Sequence, residues 1–195
     1  MPEYSPRQIQ KWLEDLRDGR LELNEDNMGL ADATLVLLGF DQPMAPPLAP
    51  GYISPHFTLK EMCVTSTGLA NIPNSDEVEN IHQTADVLEK IRSMLSDRPM
   101  TVTSAFRSEA VNSAVGGVSN SAHRLGLAAD FVCPTFGTPK EIAQKLAPRM
   151  DELGLDQLIY ENKGGAQWVH VGLSDSKPRH MALTITDAGT YNGIV

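Results

Sequence analysis

No apolar run in the 195-residue chain is long enough to cross a bilayer, so membrane insertion is not expected. The opening stretch, MPEYSPRQIQKWLEDL, lacks the charged-then-apolar pattern of a secretory leader. Synthesis in the cytoplasm is expected, with any route outward supplied by another agent. Positive charge is scarce: 16 Lys and Arg stand against 25 Asp and Glu, giving a formal net charge of −9 and a pI near 4.9. Such a balance argues against a phosphate-binding surface, so no nucleic-acid partner is expected. It also disfavours strong unaided adhesion to an anionic cell surface. Cysteine is limited to Cys63 and Cys133, which form no CxxC pair and no zinc-finger spacing. They read as two buried apolar thiols, and a disulfide has no support in a chain without a leader. Internal repeats and low-complexity tracts are missing.

What is present reads as globular: 41% hydrophobic and 21% charged residues, in a length that allows one ordinary domain plus an extension. Residues 5–17 read as a helix, with Ile9, Trp12, Leu13 and Leu16 on one face, and residues 29–40 as a second short apolar element. The proline-dense stretch DQPMAPPLAPGYISP marks the boundary between an N-terminal helical extension (1–50) and a main domain (51–195). In that domain the pattern predicts an amphipathic helix over 75–95, capped by Ser75, and a strand in MTVTSAF. A short helix over 108–115 stops at Gly116-Gly117. The polar loop VSNSAHRLGLA then leads to a strand in AADFV. Thr138-Pro139-Lys140-Glu141 is a capping box that opens a helix which Pro148 kinks or ends. DQLIYE and QWVHVGL form a hairpin across NKGGA, HMALTIT adds a last strand, and YNGIV is left as a loose tail. Helices followed by antiparallel strands make an α+β domain.

Three stretches carry chemistry: 104–117, 119–131 and 159–172. Asp130 sits in an otherwise apolar strand, and a buried carboxylate needs a partner, either a metal or an arginine. His123 precedes it in a Gly/Ser-rich loop. In QWVHVGL, alternation puts Val169 and Val171 on a core face, and Trp168, His170 and Gly172 on the other. That second face suits a cleft floor; the competing reading of His170 is a core histidine bonded to backbone. Two histidines and a carboxylate with an open fourth position are the donor set of catalytic zinc, which then needs a base near the attacking water. Glu161, on the strand before His170 and in phase with Gln157 and Ile159, is the candidate. His56, His82 and His180 have no such partners and read as structural.

The string Ser121, His123, Gly126, Ala128, Asp130, followed by Trp168 and His170, resembles the M15 family of zinc peptidases. SAFRS and VNSAVGG resemble the motif that precedes the first ligand in that family, and the likeness runs from about residue 56 to about residue 173. It implies the α+β fold shared by DD-peptidases and the Hedgehog signalling domain. It also implies one Zn²⁺ per chain on His123, Asp130 and His170. Arg107 matches the arginine that binds or polarises substrate, Ser121 is placed to bond substrate backbone, and Trp168 to form a cleft wall. Many members carry the catalytic glutamate three residues before the last histidine; here that position is Gln167, which is no base. The catalytic pair is therefore Glu161 and Arg107. The implied activity is hydrolysis of peptidoglycan stem-peptide or crosslink amide bonds, as a D-Ala-type carboxypeptidase or endopeptidase. With no leader, a phage endolysin or virion component is the expected setting, and residues 1–50 the expected dock for a virion or protein partner. The alternative is a zinc-binding structural or docking module without hydrolysis.

Overall fold

Alternating apolar and polar residues fold into six strands that share one sheet. These are β1 (Thr101–Ser104), β2 (Ala128–Val132), β3 (Gln157–Lys163), β4 (Ala166–Gly172), β5 (Met181–Thr186) and β6 (Gly189–Asn192), in the order β1-β2-β4-β3-β5-β6. The computed structural model describes residues 48–195 and, before them, Lys11 alone. The chain divides between Pro47 and Leu48. The helix expected over 5–17, the apolar element over 29–40 and the proposed docking role of the extension lie outside the described residues.

Among the described residues, five α-helices accompany the sheet: α1 (Leu59–Met62), α2 (Ser75–Met94), α3 (Glu109–Ala114), α4 (Pro139–Leu146) and α5 (Met150–Leu153). The N-cap of α2 is Asn74, not Ser75: Asn74 Oδ1 accepts from Glu77 N–H, and Glu77 returns the bond to Asn74 N–H. Asn74 wins because only it stands three residues before a glutamate able to complete the box. The capping box at Thr138 and Glu141 forms as expected, with Pro139 in the first turn. Pro148 ends α4: the chain passes through a 3₁₀ turn over Ala147–Arg149 before resuming as α5.

One face of the sheet supplies Phe131, Leu158, Tyr160, Val169 and Val171 to a single buried cluster with Ile81, Leu88 and Ile91 of α2 and Ile142 and Leu146 of α4. The residues between them in sequence, Asp130, Ile159, Glu161, Trp168 and His170, fall on the other face by strand parity.

Two expectations need correction. The sheet is antiparallel except for β3 and β5, which run parallel. β4 ends beside the start of β3, with Gly172 opposite Gln157, and β2 already holds the other edge of β4. The returning chain therefore starts on the free edge of β3 at that same end, with Met181 opposite Gln157. Residues 191–195 are not a loose tail: β6 pairs antiparallel with β5, and Thr184 Oγ1 donates to Gly193 O and accepts from Val195 N–H. Cys63 and Cys133 are both free thiols, Cys133 buried and Cys63 half-buried.

The turn that carries the first histidine is seated on α2. Thr84 Oγ1 donates to Gly126 O at 2.7 Å, and Asn80 Nδ2 to Leu125 O at 2.8 Å. Gly126 ends the 3₁₀ turn Ala122–Leu125 in the left-handed region, φ +75°. A Cβ there would stand 2.7 Å from Glu77 O and 2.9 Å from Ile81 Cγ1, so the turn can approach the helix only without one. Gly126→Ala is expected to cost about 2 kcal/mol or more, combining left-handed strain with overpacking. A lowered midpoint in urea unfolding would show it; an unchanged midpoint would mean that the turn has room to move.

Candidate metal centre

Register builds the site. Asp130 of β2 lies directly opposite His170 of β4, and Ile159 of β3 flanks His170 on its other side. His123 comes from the 3₁₀ turn just ahead of β2. Its Nδ1 lies 2.6 Å from Ala105 O. A carbonyl only accepts, so Nδ1 carries the proton and Nε2 keeps its lone pair.

That lone pair meets the other two donors. His123 Nε2 is 3.2 Å from His170 Nδ1 and 3.3 Å from Asp130 Oδ1, and His170 Nδ1 is 2.8 Å from Asp130 Oδ1. Ligand atoms bound tetrahedrally to zinc at about 2.0–2.1 Å stand about 3.3 Å from one another, so this triangle fits one face of such a site. All three residues are buried, and among the described residues they form the one group of histidine, cysteine or carboxylate side chains arranged to hold a metal. Asp130 has its arginine partner, Oδ2 accepting from Arg107 Nη2 at 2.6 Å, while Oδ1 faces the two histidines, where a metal would be held. Arg107 Nε donates to Ser104 Oγ at 2.8 Å, and its backbone N–H to His123 O at 3.0 Å. The arginine thus ties two ligand-bearing segments together.

Electrostatics suit ligation. Burial drives the His123 ring toward its neutral form, the opposing pull of Asp130 being smaller. Burial alone would raise the Asp130 carboxyl, but the charge and hydrogen bonds of His123 and His170 hold it well below the usual carboxylate range. A neutral imidazole and an ionised carboxylate are the forms a metal binds.

Glu161 is half-buried on the face of His170, directly opposite Trp168. Burial, and after it the charge of Asp130, push its carboxyl up; His170 and Lys163 partly offset them. Trp168 Nε1 is buried without a hydrogen-bond partner at normal distance, yet close enough to Glu161 to favour its ionised form slightly. Ser121 precedes the 3₁₀ turn and its side chain makes no capping bond. These residues line one cavity of about 740 Å³: Arg107, Ser121, His123, Asp130, Glu161, Trp168 and His170 are all in its wall. Gln167 is exposed and has the parity of Val169 and Val171, on the opposite face from His170. A glutamate at that position of this strand would point away from the metal centre.

Several wall and support residues were not singled out from the sequence. Ala105 fixes the His123 tautomer through its backbone carbonyl, which no side-chain pattern reveals. Arg179 forks onto the buried Asp156, pinning the 173–180 connection at the cavity rim. The two lie 23 residues apart, with no periodic signal joining them. None of the remaining histidines lines this cavity: His56 bonds Glu89, His82 lies 3.2 Å from Ile53 O, and His180 stands 3.6 Å from Asp151.

A family model described as Peptidase M15 matches residues 55–172. Over 44 residues the chain is 51% identical to the zinc D-Ala-D-Ala carboxypeptidase of Streptomyces albus G. That stretch is 23% of this chain and 17% of the relative, so the match spans about a sixth of the curated protein's length.

Proposed function

The chain belongs to the peptidase M15 family, and from that premise we propose that it is a zinc peptidase cutting amide bonds of peptidoglycan peptides, in the manner of a D-alanyl carboxypeptidase or endopeptidase. The observation that carries the metal assignment is the triangle of donor atoms at 2.8, 3.2 and 3.3 Å. The named relative supports zinc and the D-alanyl bond. A phage lysin or virion component as the setting rests on the sequence resemblance alone.

Held by His123, Asp130 and His170, zinc supplies Lewis acidity that polarises a carbonyl and acidifies water. The protein does the rest. Glu161 takes the proton of the attacking water at its carboxylate and returns it to the departing amine. Its raised proton affinity brings it nearer to neutral pH, where a shuttle works best. Arg107 fixes the Asp130 carboxylate through Nη2 and Ser104 through Nε; the second Nη2 hydrogen and both Nη1 hydrogens remain for substrate. Ser121 and Trp168, each two residues before a histidine ligand, line the cavity as hydroxyl and ring surfaces for the peptide.

Purified peptidoglycan incubated with the protein is expected to release peptides, read by mass spectrometry. Release should stop on chelation and return with zinc, and the fragment masses name the bond. A protein that binds one zinc and releases nothing would instead be a module retaining the centre without hydrolysis.

A further inference from the structure

We propose that Trp168 is a positioning residue for Glu161, its indole N–H holding the carboxylate on the metal side of the cavity. The inference rests on the reading of Glu161 as the base and adds what keeps that base in place. Glu161 has two cross-strand neighbours, Trp168 on β4 and Ile185 on β5, and all three side chains line the cavity. Ile185 has nothing to donate. Trp168 has a single donor, Nε1–H, which is buried and unpaired. A buried N–H is rarely left without an acceptor, and the carboxylate of the residue directly opposite is the acceptor that the register brings to it. The ionised form of Glu161 is favoured by this indole, in keeping with an N–H aimed at it. Lys163, two residues along on the same face, also lines the cavity and its charge acts on Glu161, but it is exposed and makes no ion pair with the carboxylate that would fix its position.

A glutamate at a strand position has several rotatable bonds and an open cavity before it. An indole is rigid, with two side-chain torsions, and its place in the strand is set by the same register that places His170. Trp168 thereby couples the orientation of the base to the position of a metal ligand two residues away. A cleft wall alone would need only the ring.

The test uses the full zinc-loaded chain and separates contact from consequence. The chain has two tryptophans, Trp12 and Trp168. In ¹⁵N-labelled protein, the indole N–H resonance that vanishes in Trp168→Phe should move in Glu161→Ala. In peptide release, Trp168→Phe should lower kcat about 10- to 100-fold, the loss of one hydrogen bond to a charged group. KM and zinc content should be unchanged. In the Glu161→Ala background the same substitution should cost nothing further. An unmoved indole resonance, wild-type kcat in Trp168→Phe, or an undiminished loss in the Glu161→Ala background would each overturn the proposal. If the unaltered protein releases no peptide, the peptidase reading fails instead, and the resonance comparison still decides whether indole and carboxylate meet.

Discussion

Asp130→Asn is expected to eliminate peptide release, by on the order of a thousandfold or more, because a metal supplies several kcal/mol of transition-state stabilisation. The variant is nearly the same shape as the original, so loss of packing does not explain the loss. The two ends of the side chain do. Oδ1 faces His123 Nε2 and His170 Nδ1, and Oδ2 accepts from the guanidinium of Arg107. Each end must be an acceptor or a ligand, and an amide has one oxygen and one NH₂. With the oxygen toward Arg107, the NH₂ occupies the ligand position. With the oxygen toward the histidines, the NH₂ meets the Arg107 donor at a position where the native contact is 2.6 Å. Neither arrangement holds a metal well, and both leave a buried cation short of its counter-charge. Zinc content after dialysis should fall together with activity. A variant that kept both zinc and hydrolysis would remove Asp130 from the ligand set.

The same residue shows what the sequence made legible. A lone aspartate among Ala, Phe and Val announces a buried charge with a partner, and strand parity put His170 on the cleft side of QWVHVGL. Register then sets Asp130 and His170 side by side, as a two-residue period requires. The capping box at Thr138 and the break at Pro148 were equally local signals, and both appear. Long-range partners were less visible. The tautomer of His123 depends on a backbone carbonyl 18 residues away, and the hydrogen bond of Arg107 to Asp130 joins residues 23 apart. β6 escaped notice because all four of its residues are exposed and so carry no apolar alternation. The parallel pairing of β3 with β5 follows from which sheet edge is vacant when the chain returns, a property of the assembled sheet and of no single stretch.

Glu161→Gln separates binding from chemistry. The amide matches the carboxylate in size and still accepts a hydrogen bond from Trp168, but it takes up no proton. None of the three donor atoms that form the metal triangle belongs to Glu161, so zinc content is expected to be unchanged. Losing a general base lowers kcat by about 10²- to 10⁴-fold. The pH profile identifies the group. The folded environment pushes the Glu161 carboxyl up, first through burial and then through the charge of Asp130, so the protonated, inactive form persists to higher pH than for an exposed glutamate. Activity of the unaltered protein should therefore rise with pH through an acid limb and fall away below it. A bound dication pulls the same carboxyl down, so the limb, which only zinc-loaded molecules trace, sits below the position that the protein environment alone would set. The residual activity of Glu161→Gln has no such carboxyl to titrate, and its profile should lose the limb. Full activity in the variant, or an unchanged acid limb, would transfer the role of base to another group, and Gln167, on the opposite face of β4, is not among the candidates.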